Sequence, residues 1–211
     1  INDEWKQFVK QQLSHFAHIS VREKTGLKIL EDLGFKDARQ VMDPVFLLDR
    51  AEWSSIAKES KDYGLKDNGY ILVYDFLYDE RIESLTKKIA KQKGLPIVSV
   101  NDFQSLPYAD KNINDAGPLE FLSLIEHADT VVCSSFHATA FSLIFQKPFY
   151  VFPLKNQNNS SRMKDLLNTI KHHERFKSIA PLQNFDYKDV SAIMKEQVSE
   201  SKNVLQNYIE F

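Results

Sequence analysis

The chain has 211 residues, 43% of them hydrophobic, and 27 Lys and Arg balance 29 Asp and Glu to a formal net charge of −2. This length can bury a substantial core, whereas the charge balance argues against a basic surface for binding nucleic acid. A single cysteine, Cys133, excludes an internal disulfide and a cysteine-based zinc site.

No targeting or membrane segment is predicted. The apolar runs fall well short of the ~20 residues that a membrane span needs. The first residues are charged and lack the apolar stretch of a signal peptide. Cys133 lies in an apolar strand pattern, which favours an inert buried thiol. We therefore expect a cytoplasmic location in a reducing environment.

The first quarter of the chain alternates helical and strand patterns. Apolar residues at helical spacing predict a helix over 1–16, and Thr25 and Gly34 bracket a second helix. The second short strand runs into Asp43-Pro44, and proline favours an extended residue before it, so a turn begins there. The predicted elements are a helix at 1–16, a strand at 17–21, a helix at 25–33, a strand at 39–42 and a helical segment at 47–53.

The rest of the chain continues this alternation with longer elements. Residues 101–116 are polar and rich in turn formers, so they are predicted to form a loop. A long charged helix is expected at the C-terminal end. The predicted strands are 70–75, 96–100, 130–133 and 176–179, and the predicted helices are 80–93, 118–126, 138–145, 162–170 and 187–211.

Strands that alternate with helices of 10 to 15 residues indicate parallel pairing. The expected fold is α/β, a doubly wound Rossmann-like parallel sheet. No strand is followed by G-x-G-x-x-G, so the dinucleotide-binding fingerprint is missing. We predict a boundary helix at 1–16, a Rossmann-like domain at 17–184 and a C-terminal helix at 185–211.

A polar cluster follows the strand at 130–133. Ser134, Ser135, Phe136 and His137 lie where this strand ends and a helix begins. Ligands of open α/β sheets bind beyond the carboxyl ends of strands, where helix N-termini offer free N–H groups to anions. The alternative is that the serines only cap the helix and that His137 is a half-buried structural histidine. The pattern alone leaves both readings open.

Three segments together resemble the polysaccharide pyruvyl transferase family. They are HISVREKTG at 18–26, VMDPVFLLD at 41–49 and SSFHATAFSLIFQKPF at 134–149, with YILVYDF at 70–76 and GLPIVSV at 94–100 between them in matching order. The resemblance covers about residues 17–180. It departs from many relatives at Ser135, where they carry arginine, and at Ala138, where they carry glycine.

The resemblance implies the C-terminal half of an enzyme with two Rossmann-like domains, similar to a GT-B glycosyltransferase. Such an enzyme transfers the enolpyruvyl unit of phosphoenolpyruvate to sugar hydroxyls and leaves a pyruvate ketal on a cell-surface or exopolysaccharide precursor. The implied partners are phosphoenolpyruvate as co-substrate, a glycan or lipid-linked sugar acceptor, and an N-terminal domain of the same protein. The helix at 185–211 would pack toward that domain, and the fragment alone would be inactive. No cofactor is expected.

The resemblance also assigns roles to residues. Arg22 and His137 are the expected catalytic residues, with Arg22 holding the phosphate or carboxylate and His137 acting as phosphate ligand or general acid. Ser135, Thr139 and Arg162 are expected to bind substrate alongside them. Asp43 is equally compatible with a turn role and a site role. The other candidate positions are Glu120, favoured by the dipole at a helix start, and the pair His172-His173, read as an exposed helix end; no metal site is predicted.

Two other functions remain open on the sequence alone. A nucleotide-sugar-dependent GT-B-type glycosyltransferase would share the architecture, because fold does not fix function. It would need a carboxylate facing the cleft to hold the ribose, and Glu120 or Glu126 would have to supply it. A non-catalytic Rossmann-like binding module is the third reading.

Overall fold

The computed structural model describes residues 2–101, 104–154, 160–182 and 186–209. These residues form two compact units. One contains the residues up to Leu47 together with those from Val190 onward, and the other is Leu48–Asp189. The predicted domain 17–184 therefore contains residues of both units, and its boundary at 184–185 lies outside the described residues.

The first unit is built around a short parallel pair of strands. Ser20 pairs with Arg39 and Val21 with Gln40. The C-terminal helix belongs to this unit from Val190 onward. The unit contains helix α1 (Asp3–Leu13), strand β1 (Ser20–Val21), helix α2 (Lys24–Asp32), strand β2 (Arg39–Gln40), a 3-10 turn (Pro44–Leu47) and most of the long C-terminal helix (Tyr187–Ile209).

Two contacts tie the C-terminal helix into the first unit. The His18 and Tyr208 rings stack with their centroids 4.3 Å apart. The Ser201 hydroxyl accepts a hydrogen bond of 2.9 Å from the Met42 backbone N–H, across 159 positions of sequence. The C-terminal helix therefore completes a unit whose other members lie at the opposite end of the chain.

The second unit is a five-stranded parallel sheet in the order β5-β4-β3-β6-β7. The chain starts in the middle of this sheet, builds outward to one side through β4 and β5, and then returns to add β6 and β7 on the other side. This doubly wound order confirms the predicted α/β class. The strands are β3 (Ile71–Tyr74), β4 (Ile97–Val100), β5 (Lys111–Ile113), β6 (Thr130–Cys133) and β7 (Phe149–Val151).

Helices cover the sheet because its central strands are apolar on both faces. Every residue of β4 and β6 is buried, as are the first three of β3. One face packs against α4, with Ile71, Val73 and Val132 in one core cluster. The helices of this unit are α3 (Arg50–Ala57), α4 (Glu80–Lys93), α5 (Pro118–Glu126), α6 (Phe136–Ile144) and α7 (Ser161–Thr169), and the C-terminal helix is α8.

The ends of α4 follow from local chemistry. The Asp79 carboxylate accepts a hydrogen bond of 2.9 Å from the Arg81 backbone N–H and caps the first turn. Acidic residues lie in the first turn and lysines in the last, as the helix dipole favours. Gly94 ends the helix with a φ of 66°, a left-handed conformation in which glycine has no steric penalty. These signals explain why the prediction for 80–93 is confirmed.

Two predictions for the second unit are wrong. Residues 101–116 are not only a loop, because Lys111–Ile113 forms edge strand β5 beside β4. This strand has three residues, two of them polar, so it lacks the apolar run of a buried strand. Conversely, the predicted strand at 176–179 is a single bridge between Phe176 and Val151.

None of the helices in the described part of the chain combines the length and the apolar content that a membrane crossing requires.

We expect buried Lys147 to make the stability of the folded chain vary with pH between neutral and alkaline values. Its ammonium group donates a hydrogen bond of 2.7 Å to the Asn68 side-chain oxygen, and only 8% of the residue is exposed. Desolvation lowers the pKa of Lys147 below its ordinary value of 10.5. The pKa of this lysine is therefore higher in the unfolded chain than in the folded chain, so the unfolded chain binds the proton more tightly. As the pH rises toward the ordinary pKa, the cost of burying the charge falls and the folded chain becomes more stable. Lys147→Met removes the charge and with it this pH dependence.

Urea unfolding at pH 7 and pH 10 measures this effect. We expect the free energy of unfolding of Lys147→Met minus that of the native chain to be more positive at pH 7 than at pH 10, so that the variant is relatively more stable at pH 7. The control Lys91→Met replaces an exposed lysine of α4 and should show no such trend. The same pH trend in both variants would contradict the assignment.

Candidate functional site

A cavity of about 440 Å³ opens at the carboxyl ends of the strands in the second unit. Strands β3 and β6 lie side by side there, but the chain leaves them toward opposite edges of the sheet. This reversal point is where open α/β sheets form a crevice for ligands. Residues that follow β3, β4, β5 and β6 all contribute to the lining. We refer to this space as the switch-point cavity.

The turn between β6 and α6 brings Ser135 and His137 to the switch-point cavity. Ser135 is the N-cap of α6, and its hydroxyl accepts a hydrogen bond of 3.4 Å from the Ala138 backbone N–H. His137 lies in the first helical turn with an exposed side chain. His137 and the N-terminus of α6 therefore lie together at the border of the switch-point cavity, and this pair of features suits a negatively charged group beside it.

Thr139 points away from the switch-point cavity. It is fully buried, and its hydroxyl donates a hydrogen bond of 2.9 Å to the Ser135 carbonyl. The same hydroxyl lies 3.6 Å from the sulfur of Cys133, which is also buried. Burial raises the pKa of the Cys133 thiol to about 11, so it stays protonated at neutral pH. In the structure Thr139 supports the turn from behind, and Cys133 is the inert thiol that was predicted.

Arg162 lies beside the turn without lining the switch-point cavity. Its guanidinium carbon is 4.8 Å from the centroid of the Phe136 ring, within the range of a cation–π contact. The Phe136 ring also contacts the His137 ring edge-on, with the centroids 5.5 Å apart. One aromatic side chain thus touches both a fixed positive charge and the imidazole.

Arg22 lies in the first unit, at the end of β1. Its guanidinium donates a hydrogen bond of 2.6 Å to Asp43, whose side chain is 2% exposed while that of Arg22 is 45% exposed. The other carboxylate oxygen of Asp43 accepts a hydrogen bond of 3.2 Å from the Val45 backbone N–H. Asp43 therefore has the turn role considered from sequence, and its second oxygen pairs with the Arg22 guanidinium; a role of Asp43 in a site stays a prediction.

Sequence reasoning missed the aromatic lining of the switch-point cavity. Tyr74 and Phe76 flank the end of β3, while Phe121 and Phe141 reach the cavity from α5 and α6. The sequence contains a signal for the first pair, because Tyr74 and Phe76 lie at the end of the buried strand in YILVYDF. The helical pair was hidden, because a phenylalanine in an amphipathic helix is equally typical of a core.

Two amide side chains also line this cavity and were not predicted. Asn101 follows β4, and its amide nitrogen donates a hydrogen bond of 2.5 Å to the Asp75 carbonyl. Asn114 follows β5 and has an exposed side chain. The strand-end rule applied to 134–137 would have identified Asn101, but not Asn114, because β5 itself was missed.

Asp75 is a buried carboxyl behind the switch-point cavity. It is 1% exposed, and it accepts a hydrogen bond of 2.6 Å from the Asp79 backbone N–H. Desolvation raises its pKa above the ordinary range, while the backbone hydrogen bonds from Asp79 and Leu77 oppose that shift. Its contacts fix the loop from β3 to α4, so Asp75 has a structural role.

The two glutamates considered for a nucleotide-sugar enzyme are engaged elsewhere. Glu120 accepts hydrogen bonds from the backbone N–H groups of Gly117 (2.9 Å) and Lys61 (3.1 Å), and the Lys61 contact is the main cause of its lowered pKa. Glu126 accepts a hydrogen bond of 2.5 Å from the Ser54 hydroxyl, beside a different cavity. Neither carboxylate lines the switch-point cavity.

The described residues contain no group of three or more His, Cys, Asp or Glu side chains that could hold a metal ion. His172 lies 2.7 Å from Glu174, and His173 begins a 3-10 turn with an exposed side chain. This arrangement fits an ion pair near the surface.

Comparison with known proteins places this geometry in context. Residues 1–156 match the family model described as "Polysaccharide pyruvyl transferase". No curated protein sequence matches the chain significantly.

The chain is similar to solved structures at low sequence identity. UDP-N-acetylglucosamine 2-epimerase from Rickettsia bellii is 11% identical over 90% of this chain and 53% of its own, with a TM-score of 0.50. The Methanocaldococcus jannaschii UDP-GlcNAc 2-epimerase is 12% identical over 86% of this chain and 54% of its own, with a TM-score of 0.49. The chain thus spans about half the length of these two structures. The first similarity, which concerns fold alone, agrees with the expected Rossmann-like architecture of GT-B type.

Proposed function

Because the chain belongs to the polysaccharide pyruvyl transferase family, we propose that it transfers the enolpyruvyl unit of phosphoenolpyruvate to a sugar and leaves a pyruvate ketal on a cell-surface or exopolysaccharide precursor. Membership of this family indicates a transferase. The donor, the acceptor and a cytoplasmic site of action are parts of the proposal. The observation that carries it is the turn after β6, which brings Ser135, His137 and a helix N-terminus together at the border of the switch-point cavity.

The proposed reaction has two carbon–oxygen bond-forming steps. One sugar hydroxyl adds to C2 of phosphoenolpyruvate while C3 takes up a proton and becomes a methyl group. The C2–O bond to phosphate then breaks, and a second hydroxyl of the same sugar closes the ketal at C2. The hydroxyls release two protons, of which one is retained at C3 and one leaves with inorganic phosphate. The site must therefore supply a proton donor and hold two anionic groups.

His137 is the proposed proton donor. Imidazole exchanges protons near neutral pH, which suits a general acid that must protonate C3 and then be recharged. Its exposed side chain at the start of α6 can reach a bound substrate. The helix N-terminus beside it, capped by Ser135, stabilises the leaving phosphate through the backbone dipoles.

The cationic ligands of phosphoenolpyruvate are proposed to be arginines. A guanidinium matches the geometry of both carboxylate and phosphate oxygens. Arg22 is included because it lies in the HISVREKTG motif. Asp43 also holds its guanidinium, while the Arg22 side chain remains partly exposed. Arg162, held against Phe136, supplies positive charge next to His137. In this proposal Arg162 takes the place of the arginine that many relatives carry where Ser135 stands here.

A second Rossmann-like domain of the same protein is part of the proposal. The chain covers about half the length of the solved epimerases that share its fold. We propose that the second domain supplies the rest of the cleft, and that the 211-residue chain alone has little activity.

A nucleotide-sugar-dependent transferase has less support. That function asks for a carboxylate near the ribose, and Glu120 and Glu126 are both engaged outside the switch-point cavity. A non-catalytic binding module is disfavoured by an exposed imidazole placed at a helix N-terminus inside a cavity.

The proposal is tested by phosphate release. The full-length protein is incubated with phosphoenolpyruvate and a panel of glycan or lipid-linked sugar acceptors, and inorganic phosphate and ketal are quantified together. We expect one phosphate per ketal, with release that depends on the acceptor. Sugar transfer from a UDP-sugar without any turnover of phosphoenolpyruvate would replace this proposal by the nucleotide-sugar reading.

A further inference from the structure

We propose that the switch-point cavity binds an uncharged sugar ring, the acceptor of the reaction, and that phosphoenolpyruvate is held outside it. This inference rests on the proposed function and assigns one of its two substrates to a specific space. It depends on the charge of the lining, on the arrangement of its aromatic rings and on its amide groups.

The described lining of the switch-point cavity carries little charge. No Lys, Arg, Asp or Glu is among the described residues that line the cavity, and His137 is the single titratable base there. Phosphoenolpyruvate carries a carboxylate and a phosphate, and anions of this kind need cationic or multiple N–H partners when they leave water. A space of about 440 Å³ with neutral walls is therefore suited to a neutral ligand. The anion fits better at its rim, where His137 and the start of α6 lie.

The aromatic rings that line the switch-point cavity are inclined to one another. Tyr74 meets Phe121 at 61° with centroids 5.0 Å apart, and Phe121 meets Phe141 at 82° with centroids 6.4 Å apart. Neighbouring rings are thus inclined steeply to each other and do not form two parallel faces that could sandwich a flat nucleobase. Each inclined ring can present one face to a ligand. A single aromatic face suits packing against the C–H groups on one side of a pyranose.

Two amide side chains of the lining can form hydrogen bonds with a sugar. A sugar hydroxyl both donates and accepts hydrogen bonds, and a carboxamide has both an NH₂ donor and a carbonyl acceptor. Asn114 presents an exposed amide to the cavity, and Asn101, which is 2% exposed, is held in place by the Asp75 carbonyl. The Asn114 amide nitrogen also donates a hydrogen bond of 3.3 Å to the Ser105 hydroxyl, so both amides are oriented by the protein. Two oriented amides and inclined aromatic rings together can recognise ring hydroxyls without any charge.

The test uses ligand-observed saturation-transfer NMR on the full-length protein. The probes are methyl β-D-glucopyranoside, methyl β-D-galactopyranoside, methyl β-D-mannopyranoside, uridine and phosphoenolpyruvate. We expect at least one methyl glycoside to bind more tightly than uridine, and Phe121→Leu to weaken that binding about fivefold, because it removes an aromatic face while keeping apolar volume. Phe176→Leu makes the same exchange outside the cavity and should leave binding unchanged.

Kinetics separate this inference from the proposed function. In the phosphate-release assay, Phe121→Leu should raise KM for the sugar acceptor about fivefold and leave KM for phosphoenolpyruvate unchanged. If phosphate release occurs but Phe121→Leu raises KM for phosphoenolpyruvate instead, the inference fails while the proposed function stands. Tighter binding of uridine than of every glycoside, weakened by Phe121→Leu, would also overturn it.

Discussion

Replacing His137 by glutamine in the full-length protein should lower kcat for ketal formation from phosphoenolpyruvate by about 10²–10⁴-fold. Glutamine keeps a polar side chain of similar length but cannot donate a proton and be recharged near neutral pH. Because the His137 side chain is exposed, the free energy of unfolding should change by less than about 0.5 kcal/mol. Steady-state phosphate release and urea unfolding of the same preparation measure both quantities.

His127→Gln provides the matched control for this prediction. His127 is also an exposed histidine of the second unit, but it follows α5 beside the other cavity. Its replacement should leave kcat within about twofold of the native value, as expected for a surface change away from the chemistry. Equal kcat values for His137→Gln and the native protein would remove His137 from the role of proton donor.

Leu72→Ala should be the most destabilising of the changes considered, at about 2–5 kcal/mol. Leu72 is fully buried in β3, the central strand, which is flanked by β4 and β6. Truncation there removes apolar contacts and leaves a cavity that the surrounding sheet cannot close. The free energy of unfolding is measured by urea denaturation of the 211-residue chain.

Leu77→Ala makes the same truncation at a residue that is 52% exposed, just after the same strand. We expect it to cost less than about 0.5 kcal/mol. Similar losses at Leu72 and Leu77 would contradict the placement of β3 at the centre of the sheet.

The central part of the sheet could be predicted from sequence because burial on both faces produces continuous apolar runs. ILVY at 71–74, IVSV at 97–100 and TVVC at 130–133 are such runs, and each is a strand of the structure. The edge strand β5 could not be predicted in this way, since its neighbour β4 covers only one side and two of its three residues are polar.

The division of the chain into two compact units could not be predicted from the sequence either. It depends on contacts between distant parts of the chain, such as the hydrogen bond from Met42 to Ser201, and local patterns do not report those. No stretch rich in glycine, serine or proline marks the change of unit near Leu47. Composition therefore predicted a single Rossmann-like region.

For the candidate site, the strand-end rule placed Ser135 and His137 correctly at the junction of β6 and α6. The family resemblance grouped Thr139 with them, but a sequence motif does not report side-chain direction, and Thr139 points into the core. The aromatic walls of the switch-point cavity depend on how α5 and α6 pack side by side, and this too is a property of the folded sheet.

The central proposal is that this protein uses phosphoenolpyruvate, and that Arg22 and His137 are each needed to bind it. Isothermal titration calorimetry of the full-length protein with phosphoenolpyruvate and with UDP-sugars tests it most directly, with Arg22→Ala and His137→Ala alongside. The account predicts that phosphoenolpyruvate binds the native protein and that each substitution weakens this binding at least about tenfold, as expected when a charge-assisted contact is lost. Binding of a UDP-sugar with no detectable binding of phosphoenolpyruvate would contradict it.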